Sequence, residues 1–276
     1  MTVELLQLRI LKKGSDNMAK KIERNNMVFI SIYNEQYKII NYYNRRKVEI
    51  EFANGYRKLC RWEQIIKGHV VNPYTKTVCN IGFLGEGRYN KTINRKQTQH
   101  YIVWHGMMQR CYDKEFHKTN QSYIGCTVCE EWHNFQNFAK WYDENYYEVN
   151  NEIMCLDKDI LYKGNKIYSP ETCIFVPRRI NQLFVKGAKE RRNNLPIGVK
   201  FHKGMNKLIV SCSIFENNQK ILKHLGYFDI NQEEQAFYCY KNFKETYIKK
   251  VANQYKNSIP DELYQAMCEY EVSIND

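Results

Sequence analysis

The 276-residue sequence predicts an α+β protein, and three observations predict it. Short β-branched and aromatic runs separated by Asn, Gly and Arg fill Met27 to Trp62. Apolar residues at three- and four-residue spacing follow from Trp104 to Tyr142, and three strand-length runs then precede a long helical pattern near the C-terminus. The expected segments are an N-terminal stretch 1–26, a β-rich basic module 27–96, a middle region 97–184, a sheet-and-helix region 185–256 and an acidic tail 257–276.

The first residues admit two readings. Lys12, Lys13, Gly14, Ser15, Asp16 and Asn17 before Met18 have the form of a translated purine-rich ribosome-binding sequence, which puts the start of translation at Met18. Val3 to Leu11 also reads as an ordinary amphipathic helix. Strands are expected at Met27–Tyr33, Gln36–Asn41, Lys47–Phe52 and Tyr56–Trp62, forming a small β-barrel or curled sheet. Asn54-Gly55 marks a hairpin in which both central residues take positive φ. Arg45, Arg46, Lys47, Arg57, Lys58 and Arg61 make this module basic, either as a DNA-backbone contact or as a solvated rim.

Gly82, Gly85 and Gly87 form a loop rather than a phosphate cradle, because no apolar strand feeds them and no Lys-Ser or Lys-Thr pair follows. Arg88 to Gln99 reads as an exposed basic linker. Trp104, Met108 and Cys111 or Tyr112 then share a helix face, and Trp132, Phe135, Phe138 and Tyr142 share another. Such aromatic stripes are core, and His105, His117 and His133 on or near them are packing residues. Cys126 and Cys129 have the spacing of one zinc knuckle, but no second paired knuckle follows, so zinc is not expected.

Charge and composition narrow the function classes. Apolar residues at 43% suffice for real cores, while 13 Gly and 5 Pro exclude collagen-like or low-complexity character. No apolar run approaches the roughly 18 residues a membrane span needs, and the opening residues lack the pattern of a signal peptide. A soluble protein of the cytoplasm is expected, with its ten cysteines reduced and no membrane partner. The net charge of +12 is unevenly placed: 19 basic against 8 acidic groups in 1–96, 9 against 11 in 97–184, 14 against 6 in 185–256, and 0 against 5 in 257–276. Two cationic blocks interleaved with 22 Tyr suit phosphate neutralisation with base or sugar stacking, which makes nucleic acid the leading partner.

The chemistry-bearing residues lie in Cys155-Leu-Asp-Lys-Asp-Ile160, Gly164-Asn-Lys166, Tyr168-Ser-Pro-Glu-Thr-Cys-Ile-Phe-Val-Pro177 and Asn181. With Trp104-x-x-Met-x-x-Arg-Cys-Tyr112 and Trp132-x-x-Phe-x-x-Phe138, the stretch Tyr101 to Asn181 resembles HNH-type (His-Me finger) endonucleases of phages and mobile elements. The resemblance implies a ββα unit, a β-hairpin plus helix around one divalent metal, where a strand His activates water and an Asn helps position the site. At the His position this sequence has Asp157 or Lys158, at the first Asn position Thr172, and only the last Asn is kept, as Asn181. A neutral imidazole accepts a proton near pH 7, whereas an unperturbed carboxylate is too weak a base and an ammonium cannot accept. Asp157 and Asp159, if they alternate along a strand, point the same way and share one hard cation such as Mg²⁺, which lowers the pKa of its own bound water. The expected catalytic set is therefore Asp157, Lys158, Asp159, Thr172 and Asn181, with Asp157 and Asp159 as metal ligands. The competing reading is a structural ββα remnant.

Ile197-Gly-Val-Lys200, Asn206-Lys207 to Ser213, Leu225-Gly-Tyr-Phe-Asp229 and Glu233-Glu-x-Ala-x-x-x-Tyr240 resemble the ethylene-response-factor (apetala-type) DNA-binding domain. That resemblance implies one helix packed on a three-stranded antiparallel sheet whose outer face enters the major groove. Carried over by position, the DNA-facing residues are Lys200, His202, Lys207, Ser211, Ser213 and His224. Bidentate Arg to guanine supplies most base discrimination and none stands here, so affinity with limited selectivity is expected. The chain is thus expected to bind double-stranded DNA, with metal-dependent strand cleavage in one version. In the alternatives it is a non-catalytic regulator of DNA, or a phage accessory protein that inhibits a host defence protein by direct contact.

Overall fold

The computed structural model describes residues 23–185, 194–216 and 219–276, so the Met18 start and the Val3–Leu11 helix lie outside the described residues. The chain divides into two compact units, 1–72 and 73–276. In the first, strands β1 (Val28–Ile30), β2 (Gln36–Asn44), β3 (Lys47–Phe52) and β4 (Arg57–Cys60) form an antiparallel meander in chain order. The order is linear, so among the described residues β1 and β4 are edges and no barrel closes. Alternation in β3 buries Val48, Ile50 and Phe52 against Tyr37, Ile39 and Cys60.

Local hydrogen bonds explain where the strands stop. The Ser31 hydroxyl accepts from the amides of Tyr33 and Glu35, turning the chain before the strand can reach Tyr33. Arg61 starts helix α1 (Trp62–Ile66), with its amide held by the Gln64 side chain, so Trp62 is helical rather than the end of a strand. The Tyr37 hydroxyl donates to the Ile65 carbonyl at 2.8 Å and fastens α1 to the sheet. The expected hairpin at Asn54-Gly55 forms with a different turn. The Gly55 amide donates to Phe52, the Phe52 amide donates to Tyr56, and only Gly55 has positive φ (83°). Ala53-Asn54 thus make an ordinary turn followed by one left-handed glycine, the three-residue hairpin loop.

In the second unit, residues 73–89 belong with the middle region and not with the β-rich module: Val78, Ile81, Leu84 and Tyr89 pack on a core built around Trp104 and Trp132. The expected linker contains a hairpin, β5 (Thr92–Ile93) and β6 (Lys96–Gln97), closed by Asn94 and Arg95, both at positive φ. Thr98 caps helix α2 (Gln99–Tyr112), whose buried face is Tyr101, Trp104, Met107, Met108 and Cys111. Tyr112 packs, partly buried, against the same core, and its hydroxyl accepts from the Val128 amide. Helix α3 (Lys114–Thr119) and strand β7 (Thr127–Val128) follow, and Asn134 caps helix α4 (Phe135–Asn145), leaving Trp132 on a short 3-10 turn before it.

Strands β8 (Met154–Asp157) and β10 (Ile174–Pro177) form an antiparallel hairpin that runs into helix α5 (Arg178–Phe184), while β9 (Ile167–Tyr168) pairs with β7. Strands β11 (Val199–His202), β12 (Lys207–Glu216) and β13 (Gln219–Phe228) then form an antiparallel three-stranded sheet against helix α6 (Glu233–Tyr255). Gly198 sits at φ 81°, and a Cβ there would lie 2.0 Å from the Tyr240 ring, so the strand entry requires glycine. The hairpin and this sheet share one core: Ile174, Val176 and Ile180 pack with Val210, Ile248 and Val251. Residues 257–276, set apart by charge alone, carry helix α7 (Asp261–Glu269), whose Leu263 and Met267 are fully buried in that same core. No helix among the described residues is long and apolar enough to cross a membrane.

Candidate nucleic-acid interface

Strand β12 alternates strictly. Leu208, Val210, Cys212 and Ile214 are buried toward α6, which leaves Lys207, Ile209, Ser211 and Ser213 on the opposite face. Register places the neighbours on that face: Lys200 pairs with Ile209, His202 with Lys207, Tyr227 with Ile209, His224 with Ser211 and Leu222 with Ser213. All six residues expected to face DNA, Lys200, His202, Lys207, Ser211, Ser213 and His224, therefore share one side of the sheet. None of the cross-strand partners just named is acidic. A shallow hollow of about 280 Å³ lies among Lys200, His202, Ser211 and His224.

Two of these side chains have polar partners. The Lys207 ammonium stands 3.6 Å from the Asp229 carboxylate, with both groups exposed. The His202 Nδ1 accepts from the Met205 amide at 3.1 Å, which orients the ring at the strand end. The register shifts between Val210 and Ser211, leaving Leu225 as an extra residue on β13. This bulge brings His224 and Tyr227 to the same face, although their spacing of three would put them on opposite faces of a regular strand. Their rings pack at a tilt of 50°, with 4.5 Å between centroids. Tyr227 and Leu222, 49% and 64% exposed, add flat and apolar surface that sequence reasoning missed.

The β8–β10 hairpin with α5 places the other expected set. Asp157 ends β8, so Asp159 lies beyond the strand and the expected alternation of the two carboxylates fails. The Asp157 Oδ1 instead accepts from the amides of Asp159 and Ile160 at 2.9 and 2.8 Å and caps the turn. Burial and the neighbouring Asp159 carboxylate raise its pKa from 3.8 to about 6. Lys158 is buried, its ammonium donating to Asp159 Oδ2 and to the Asn165 carbonyl, both at 3.1 Å, beside the Tyr168 ring.

Asn165, absent from the expected set, donates to the carbonyls of Lys158 and Ile167 and so closes this loop. The Thr172 hydroxyl donates to the Ile167 carbonyl at 2.8 Å and lies 3.1 Å from Ser169, a turn-stabilising role. Asn181 stands on α5, and no hydrogen bond among the described residues joins it to Asp157, Asp159 or Thr172. Among the described residues no three His, Cys, Asp or Glu side chains gather as an ion site. Compared with known protein families, curated proteins and solved structures, the chain matches none.

Proposed function

We propose that this chain binds double-stranded DNA through the outer face of the β11–β12–β13 sheet. The observation that carries the reading is the convergence of Lys200, His202, Lys207, Ser211, Ser213 and His224 on the one side of the sheet that α6 leaves uncovered. Lysines there neutralise phosphates, the serine hydroxyls and histidine rings make single hydrogen bonds, and Tyr227 and Leu222 pack on sugars or thymine methyls. Lacking an arginine, this face holds DNA with little preference among sequences. Duplex affinity measured by filter binding should fall steeply as salt rises; a flat response would overturn the reading and favour a protein partner.

The ββα hairpin acts in this reading as a scaffold for the sheet. Its polar groups already serve the loop: Asp157 holds two backbone amides, and the Lys158 ammonium stands against Asp159 where the resemblance expects a base. A lysine held in that way cannot accept a proton from water. Nicking of supercoiled plasmid by the purified chain in magnesium or manganese, abolished by chelator, would overturn the scaffold role and restore metal-dependent cleavage.

A further inference from the structure

A polar cleft of about 560 Å³ opens where α5, the end of β12 and the end of α6 meet. Donors dominate its lining: the guanidiniums of Arg178 and Arg179, the amides of Gln182 and Gln254, and the Ser258 hydroxyl. Glu152 is the carboxylate among the lining residues, and it already accepts the Tyr255 hydroxyl. The Arg179 guanidinium lies 5.7 Å over the Phe215 ring and interacts with the Tyr255 hydroxyl, while its Nε is buried without a hydrogen-bond partner among the described residues. The guanidinium N–H groups of Arg178 and Arg179 that line the cleft are donors suited to an oxyanion. Two cations against one engaged carboxylate leave the cleft positive.

We propose that this cleft binds one phosphate group, held by Arg178 and Arg179 with amide and hydroxyl donors around it. A tetrahedral anion can accept from all of these donors at once, and charge-assisted bonds from guanidinium are the strong ones. The phosphate would come from a nucleic-acid backbone or from free phosphate. The cleft shares no residue with the six on the outer sheet face, so it does not depend on the DNA reading given for them.

The test is line broadening of the phosphorus resonance of inorganic phosphate titrated with the full chain. Saturable broadening is expected, and the double variant Arg178→Gln, Arg179→Gln should weaken it at least about tenfold. Because Arg179 packs on Phe215, Arg178→Gln alone, at an exposed position, serves as a second variant whose fold is checked by circular dichroism. Absence of saturable broadening with the wild-type chain, or wild-type phosphate affinity in the folded Arg178→Gln variant, would overturn the proposal. A short duplex that displaces phosphate assigns the source to a nucleic-acid backbone, and phosphate binding untouched by duplex assigns it to free phosphate. Loss of duplex binding with phosphate binding intact would strike the outer sheet face and not this cleft.

Discussion

His224 and Tyr227 stand three residues apart on β13 yet share one face of the sheet, their ring centroids 4.5 Å apart, because the bulge at Leu225 resets the alternation between them. The pair makes a small aromatic platform within an otherwise cationic surface. Tyr227→Ala should leave the fold unchanged, since the ring is half exposed, and should weaken duplex binding by about 1 kcal/mol, roughly fivefold. Filter binding alongside circular dichroism checks it, and unchanged affinity would remove Tyr227 from the interface.

The lysines should behave differently from the rings. Lys200→Ala with Lys207→Ala should weaken binding about evenly across duplex sequences and lower the salt slope by about 2, because phosphate contacts position without specifying. Asp229→Ala should raise affinity slightly by freeing Lys207 from an exposed pair that is itself worth little. Titrations on two unrelated duplexes at several salt concentrations measure both effects.

Lys244 lies on α6 beneath the sheet, 8% exposed, with no ion pair or hydrogen bond among the described residues. Burial, with the nearby Lys220 charge, lowers its pKa below the usual 10.5. The unfolded chain therefore holds the proton more tightly than the folded one. Stability rises with pH from the lowered value up to that of a free lysine, and below that window the full cost of a buried ammonium remains. Lys244→Met should stabilise the protein at neutral pH by about 1–2 kcal/mol and flatten that rise, read from thermal unfolding across alkaline pH.

Asp157 gives the opposite slope at acid pH. Its pKa, raised from 3.8 to about 6, means that the folded chain binds the proton more tightly, so stability falls as pH climbs between those values and stays level above them. Asp157→Asn keeps an oxygen to accept from the amides of Asp159 and Ile160 and removes the buried charge. It should stabilise the chain at pH 7 by at most about 3 kcal/mol and abolish this acid dependence, whereas Asp157→Ala loses the cap and should destabilise. Denaturant titrations at pH 4 and pH 7 separate the two variants.

Leu263 on α7 is fully buried, so Leu263→Ala should cost about 2–5 kcal/mol, far more than any exposed change in the same acidic stretch. Chemical denaturation measures it, and a loss below about 1 kcal/mol would mean that α7 is loosely held.

Legibility in the sequence followed periodicity. Lys47–Phe52 and Lys207–Ser213 alternate cleanly, and both formed strands as expected. The six residues carried over by position from the ethylene-response-factor resemblance lie on one side of the C-terminal sheet. Tyr227 was missed because a bulge leaves no period in the sequence, with Gly226 beside it as the nearest hint. The α7 helix was hidden by charge counting, although Leu263 and Met267 stand four apart and signal a buried stripe. The Asp157–Asp159 pairing failed because strand length is set by tertiary hydrogen bonds: once Asp157 caps its own turn, the strand ends there. The arginine cleft was invisible, since its lining comes from the loop before β8, α5, β12 and the end of α6, far apart in the chain.

Helix α7 also sets a timetable for synthesis. Leu263, Met267 and Val272 close the core that the hairpin, the three-stranded sheet and α6 hold in common. Until those last apolar side chains have left the ribosome, the long helix has a bare flank, and everything from the hairpin onward waits half-assembled. The meander of 23–72, with its own separate core, has no such wait and can settle while the rest is still being made.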